Sequence, residues 1–217
     1  MGIIAHGDTM KENYQKKMEA VIASLPIGEQ KPRLLLQSCC GPCSSYVLEA
    51  LTPYFRVTVL YYNPNIQPRE EYDRRLETQR KIIAALPTAT PVEILECEYD
   101  GEAYDAAVRG LEDEPEGGAR CSVCFALRLE ETARRASELG YDWFCTTLTV
   151  SPHKDAGRLN AIGTAMGERY GVPFLPSDFK KREGYKRSIL LSKEYDLYRQ
   201  DYCGCLFSKP NDDQTVS

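Results

Sequence analysis

The sequence predicts an α/β fold: one domain built on about five mainly parallel strands, with helices on both faces. Two observations predict it. Short runs rich in β-branched, leucine and aromatic residues alternate along the chain with longer stretches of helical character, which is the pattern of successive βαβ units. The 217 residues, 42% hydrophobic and 27% charged, are enough for one sizeable core and unlike a disordered composition. The longest apolar runs, at 34–36 and 57–62, are far shorter than the ~20 residues that span a bilayer, so no membrane partner is expected.

The elements follow in order. Residues 1–30 read as an N-terminal helical extension with a helix over 11–25, without the sustained apolar stretch of a signal peptide. The first strand is 33–37, and a helix covers 44–51. Residues 56–62 have strand composition. Asn63, Pro64 and Asn65 then break the chain, and Pro68 followed by Glu70 and Glu71 opens a helix to about 86. A strand is expected at 92–96, a short helix at 103–109, and a long helix at 121–139 that Gly140 stops. Then come strand 141–148, helix 155–170, strand 172–175 and helix 185–195. The α/β domain runs from 31 to 208, with a flexible tail at 209–217. In an open parallel sheet, ligands gather beyond the C-terminal strand ends. The loops at 39–43 and 149–154 lie at two such ends and are expected to share one site.

Seven of the nine cysteines fall into three clusters: Cys39, Cys40 and Cys43; Cys121 and Cys124; Cys203 and Cys205. A chain without a signal peptide is expected in a reducing cytoplasm, where disulfide stapling is not the usual use of thiols. Cys121 and Cys124 stand one helical turn apart at a helix start, where thiol pKa is lowered. Thiolate-only ligation selects zinc or iron–sulfur. Structural zinc needs four ligands and gains nothing from seven, which favours iron–sulfur. A thioredoxin-like reading is weaker, because Cys121 follows an acidic loop and not a strand. Cys203-Gly204-Cys205 closes too small a ring to staple a fold; a disulfide there would be strained and easily reduced, as a redox pair requires. Cys97 and Cys145 read as lone buried thiols.

The net charge of −5 is unevenly spread. Residues 92–119 carry ten acidic side chains against Arg109, so the remainder is net positive and a nucleic-acid partner is not excluded. The run FKKREGYKR at 179–187 brings Lys180, Lys181, Arg182, Lys186 and Arg187 together against Glu183. It is either a solvated face or a phosphate-binding strip, in which Phe179 and Tyr185 stack on unpaired bases. His153 and Lys154 add donors from a neighbouring loop. Asp178 reads as a loop cap, an iron ligand or a proton donor. Neither G-x-G-x-x-G nor a Walker A motif follows any strand, which disfavours ATP chemistry.

Six motifs in order resemble those of the cobalamin-independent epoxyqueuosine reductases, QueH. They are SCCGPCSSYVLE (38–49), YYNPNI (61–66), CSVCFALRLEETA (121–133), TTLTVSPHK (146–154), SDFKKREGYKRSI (177–189) and LYRQDYCGC (197–205). The resemblance covers about 33–208. It implies a fold related to the adenine-nucleotide hydrolase and PP-loop enzymes, and reduction of epoxyqueuosine to queuosine at the tRNA wobble position, the last step in making that base. It implies a [4Fe–4S] cluster held by Cys39, Cys40, Cys121 and Cys124, with Cys203 and Cys205 as the redox pair. It also admits a separate iron, for which Cys43, Asp178 and the Cys203 pair are candidate ligands. Asp178 and His153 are the first proton donors to test, and an electron donor is required. The competing classes are another cluster-dependent tRNA modifier of PP-loop-like fold and a zinc-stapled RNA-binding module.

Overall fold

A computed structural model describes residues 12–26 and 30–209. Its centre is a four-stranded, wholly parallel sheet in the order β3-β2-β1-β4, formed by β1 (Arg33–Gln37), β2 (Arg56–Tyr61), β3 (Glu93–Glu96) and β4 (Trp143–Thr146). The helices are α1 (Tyr14–Ser24), α2 (Gly41–Leu51), α3 (Arg69–Ala85), α4 (Gly101–Ala107), α5 (Ala119–Glu138), α6 (Ala156–Tyr170) and α7 (Gly184–Glu194).

Both faces of the sheet are covered, which is why β1 and β2 are nearly continuous apolar runs. Successive strand residues point to opposite faces. Leu34 and Leu36 pack with Val47, Leu48 and Leu51 of α2, Ile82 of α3 and Leu191 of α7. Leu35 points the other way, towards Phe125, Leu129 and Ala133 of α5 and Leu159 of α6. Met18 of α1 is buried in the first of these layers, so the expected extension contributes to the core. Residues 1–11 of that extension, and the expected tail beyond Lys209, lie outside the described residues.

The fifth expected strand is a correction. Residues 172–175 make only an isolated parallel bridge, Phe144 with Phe174. Phe144 N–H donates to Pro173 O and Leu175 N–H donates to Phe144 O, but Pro173 has no N–H of its own and Pro176 ends the segment, so pairing cannot extend. The strand expected at 141–148 is also cut short. After Thr146 the chain enters a 3-10 turn over Thr147–Val150, begun by the Thr146 hydroxyl accepting from Leu148 N–H at 3.1 Å.

A third correction bears on function. Residues 41–43 are not loop but the first turn of α2, with Cys40 as its N-cap and Pro42 in the turn, where a missing N–H is tolerated. Strand order reverses between β1 and β4, so the start of α2 and the turn after β4 flank the switch point.

Candidate active site

The three sulfurs of Cys39, Cys40 and Cys43 lie within 4.8 Å of one another, two of the residues being buried. Cys40 Sγ is 2.8 Å from Cys43 Sγ and 3.7 Å from Cys39 Sγ. Both separations are well beyond the ~2.05 Å of a disulfide, and all nine cysteines are free. The adjacency of Cys39 and Cys40 is resolved by the end of β1: past Ser38 the backbone leaves the sheet, and both thiols turn to the N-terminus of α2. Gly41 permits this, because a Cβ there would lie 2.6 Å from Thr78 O of α3.

Contacts with Cys40 and Cys43 hold the Cys39 thiol well below its ordinary pKa, with Arg128 and Lys154 adding to the effect. Burial pushes Cys40 up to about 12. Cys43 is raised chiefly by its contact with Cys39.

Cys121 and Cys124 emerge from the start of α5, and Cys121 Sγ accepts from Gly117 N–H at 3.2 Å. They line a cavity of about 70 Å³ together with Cys203 and Cys205. Asn65 Oδ1, buried and without a hydrogen-bond partner, belongs to a residue lining the same cavity. Burial pushes Cys124 up to about 12 and raises Cys121. The three cysteine clusters of the sequence thus become two groups of thiols in space.

Two cations connect the groups. Arg128 is 1% exposed, its Nη1 4.0 Å from Cys124 Sγ, its Nη2 donating to Asn63 Oδ1 at 2.8 Å. Burial opposes its charge, and the proximity of the Cys124, Cys39 and Cys203 sulfurs outweighs that opposition. Lys154 behaves alike: burial works against the ammonium, but Cys203, Cys39 and Cys43 hold its pKa above the ordinary value.

A wider cavity of about 410 Å³ opens beside the thiols. Cys43, Lys154, Tyr185, Gln200 and Cys203 line it, with His153 exposed at its wall. The loops after β1 and β4 do share one site, as expected.

Other site candidates fall elsewhere. Asp178 is buried and paired with Lys180, whose Nζ is 3.1 Å from its Oδ1, and it lines neither cavity. Phe179 is fully buried in the first core layer, which corrects the expectation that it stacks on bases. The basic run is largely paired: Arg182 with Glu19, Lys186 with Glu183, and Arg187 with Glu49. Among the described residues Lys181 makes no ion pair. Cys145 sits in the sheet core, and Cys97 packs against its second layer.

Several site residues are not apparent in the sequence reading. Arg128 could have been found, because it follows Cys124 by four residues and shares its helix face. Asn63 and Asn65 read as chain breakers, yet one anchors Arg128 and the other faces the four-thiol cavity. Buried Arg120 gathers the carbonyls of Leu111, Glu112 and Glu114, while Arg158 Nη1 donates to Gly117 O at 2.6 Å. These arginines shape the acidic loop so that Glu116 lines both cavities.

Comparison with known proteins places the chain among relatives of one family. The profile of a family described as "Epoxyqueuosine reductase QueH" matches residues 34–211. Proteins of that same name are similar over most of the chain. That of Streptococcus pyogenes serotype M1 is 44% identical over 200 residues, covering 91% of this chain and 78% of its own. That of Staphylococcus epidermidis is 42% identical over 210 residues, 95% of this chain and 88% of its own. That of Thermotoga maritima is 37% identical over 181 residues, 81% of this chain and 89% of its own.

Proposed function

The chain belongs to the epoxyqueuosine reductase QueH family, and we propose how its site performs that reduction. It is an oxidoreductase acting on epoxyqueuosine in tRNA. The observation that carries the reading is the convergence of thiols from Cys39 to Cys205 on one end of the sheet, linked by Arg128 and Lys154. We place the work at the wobble position and in the cytoplasm; no helix among the described residues is long and apolar enough to cross a membrane.

Removing the epoxide oxygen as water and leaving an alkene takes two electrons and two protons, the electrons coming from a separate donor. The donor set fits an iron–sulfur group: soft thiols, three of them already within 4.8 Å, and an unpartnered oxygen at the second cavity. We assign Cys39, Cys40, Cys121 and Cys124 to a [4Fe–4S] cluster and Cys203 with Cys205 to a redox pair. Such a cluster supplies electrons one at a time. The spatial grouping favours a second reading, in which Cys43 joins Cys39 and Cys40 on a separate iron and the four-thiol cavity holds the other centre. Iron and sulfide counts decide between them. Under the first, Cys43→Ser keeps the full cluster content; under the second, Cys203→Ser loses it.

The chain's own residues do the rest. The 410 Å³ cavity receives the modified base, and Tyr185 offers a face for it to rest on. Lys154 keeps its proton beside the thiols and holds negative charge in place there. His153 lines both cavities and is the better placed proton donor, since Asp178 is turned to Lys180. Lys154, Lys180, Lys181, Arg182, Lys186 and Arg187 supply cations for the tRNA backbone. The exposed ion pairs of Arg182, Lys186 and Arg187 are worth at most ~1 kcal/mol each, so phosphate can replace their carboxylates at little cost.

The test is mass spectrometry of nucleosides from epoxyqueuosine-bearing tRNA after incubation with the reduced, iron-loaded protein. Queuosine is the expected product. No conversion, or a colourless protein holding stoichiometric zinc, refutes the reading.

A further inference from the structure

Beside Cys203 the fold buries an arginine that the reaction as described does not use. Arg75 of α3 is 1% exposed. Its Nε is 2.6 Å from Glu71 Oε1, while Nη1 donates to Cys203 O at 3.1 Å and Nη2 to Tyr202 O at 3.2 Å. One guanidinium therefore grips a carboxylate on one side and two consecutive carbonyls on the other, a fork that lysine cannot reproduce.

The surrounding contacts serve the same segment. Gln67 N–H donates to Gly204 O at 2.9 Å, Tyr202 Oη donates to Gln67 O at 2.5 Å, and Tyr198 Oη is 3.0 Å from Glu71 Oε2. Gly204 has φ +130, which only glycine adopts readily, and a Cβ there would lie 3.3 Å from Arg75 Nη1. Burying a guanidinium is costly unless its charge and its N–H groups are satisfied. Here Glu71 meets the charge, and the two carbonyls before Gly204 meet the remaining N–H groups.

We propose that Arg75, with Glu71, is a positioning residue. It locks the Tyr202 and Cys203 peptides so that the two thiols of the Cys203-Gly204-Cys205 turn keep facing the shared site while they are oxidised and re-reduced. The inference rests on the redox-pair assignment above. Sulfur can then change partners by side-chain rotation alone, with the backbone held.

The test compares the full-length, iron-loaded protein with Arg75→Met and Arg75→Lys by hydrogen-exchange mass spectrometry and steady-state kinetics. In Arg75→Met, amides at 198–205 should exchange at least about tenfold faster, while those of β1 stay unchanged. Its kcat should fall on the order of 100-fold, with KM for tRNA within about twofold. Arg75→Lys should fall between parent and Arg75→Met in exchange and recover little of kcat. If Arg75→Met does not fold, Arg75→Lys, which keeps the charge, carries the test. Unchanged exchange at 198–205 overturns the proposal, as does faster exchange with undiminished kcat. A Cys203→Ser/Cys205→Ser protein with full activity would instead remove the redox-pair reading, and the exchange data would still show whether Arg75 holds the segment.

Discussion

Gln200 Nε2 donates to Cys40 Sγ across 3.2 Å, a contact that joins positions 160 residues apart. An N–H directed at a metal-binding thiolate stabilises its reduced, more negative state and raises the reduction potential. Gln200→Leu should therefore lower the potential of the loaded protein, by an amount of order one tenfold factor, ~59 mV for one electron. A spectroscopically monitored redox titration reads this directly. An unmoved potential would show that the contact does not tune the centre.

Gly41→Ala tests the turn that gathers the triad. Its Cβ would meet Thr78 O at 2.6 Å, and since that atom is backbone, α2 must shift. Overpacking of this kind costs ~1–3 kcal/mol, and the melting temperature should drop by several degrees. The shift displaces Cys40 and Cys43 together, so iron content should fall as well. Calorimetry alongside iron analysis separates the two effects.

Binding of tRNA should depend unequally on the basic residues. Lys181 makes no ion pair among the described residues and Lys154 lines the cavity, whereas Arg187 is held by Glu49. Lys181→Ala should weaken binding and flatten the slope of log K against log salt by about 0.7–0.9. Arg187→Ala should do less. Affinities measured at several salt concentrations check the order, and equal losses for both variants would count against it.

Stability at alkaline pH should report on Cys145. Burial raises its folded thiol to about 12, from an ordinary value near 8.5. Below that ordinary value both states keep the proton and the thiol costs nothing. Above it the unfolded chain ionises and the folded one does not, so stability falls as pH rises towards 12, by up to about 1.4 kcal/mol per unit. Urea unfolding between pH 8 and 10.5 should show a shallower decline in Cys145→Ala than in the parent.

Much of the fold was legible because strand composition and helix punctuation act locally. The bounds of β1 match residue for residue, and the end of α5 is set by Gly140, in the left-handed region at φ +67, as the sequence indicates. The fifth strand failed because pairing requires N–H groups that Pro173 and Pro176 lack, and composition alone overrides that fact too easily. The start of α2 was missed because Gly41-Pro42 resembles a turn, although proline is at home in a first helical turn. At the site, cysteines were legible as clusters, but their regrouping in space was not. Spacing cannot tell that Cys203 meets Cys121 and Cys124, since that meeting depends on where α3 and α5 lie. The buried arginines were least visible, because an arginine in sequence looks like surface until its partners are known.

The Cys40–Gln200 contact also bears on how the protein matures. A chain growing on the ribosome exposes the triad early, yet Gln200, which contacts Cys40, and Cys203, on the wall of the cavity beside Cys43, emerge only when almost the whole domain has been made. The complete site therefore assembles only once translation has passed these residues, and any message that stops before codon 200 yields a polypeptide whose first thiols await a counterpart that never arrives.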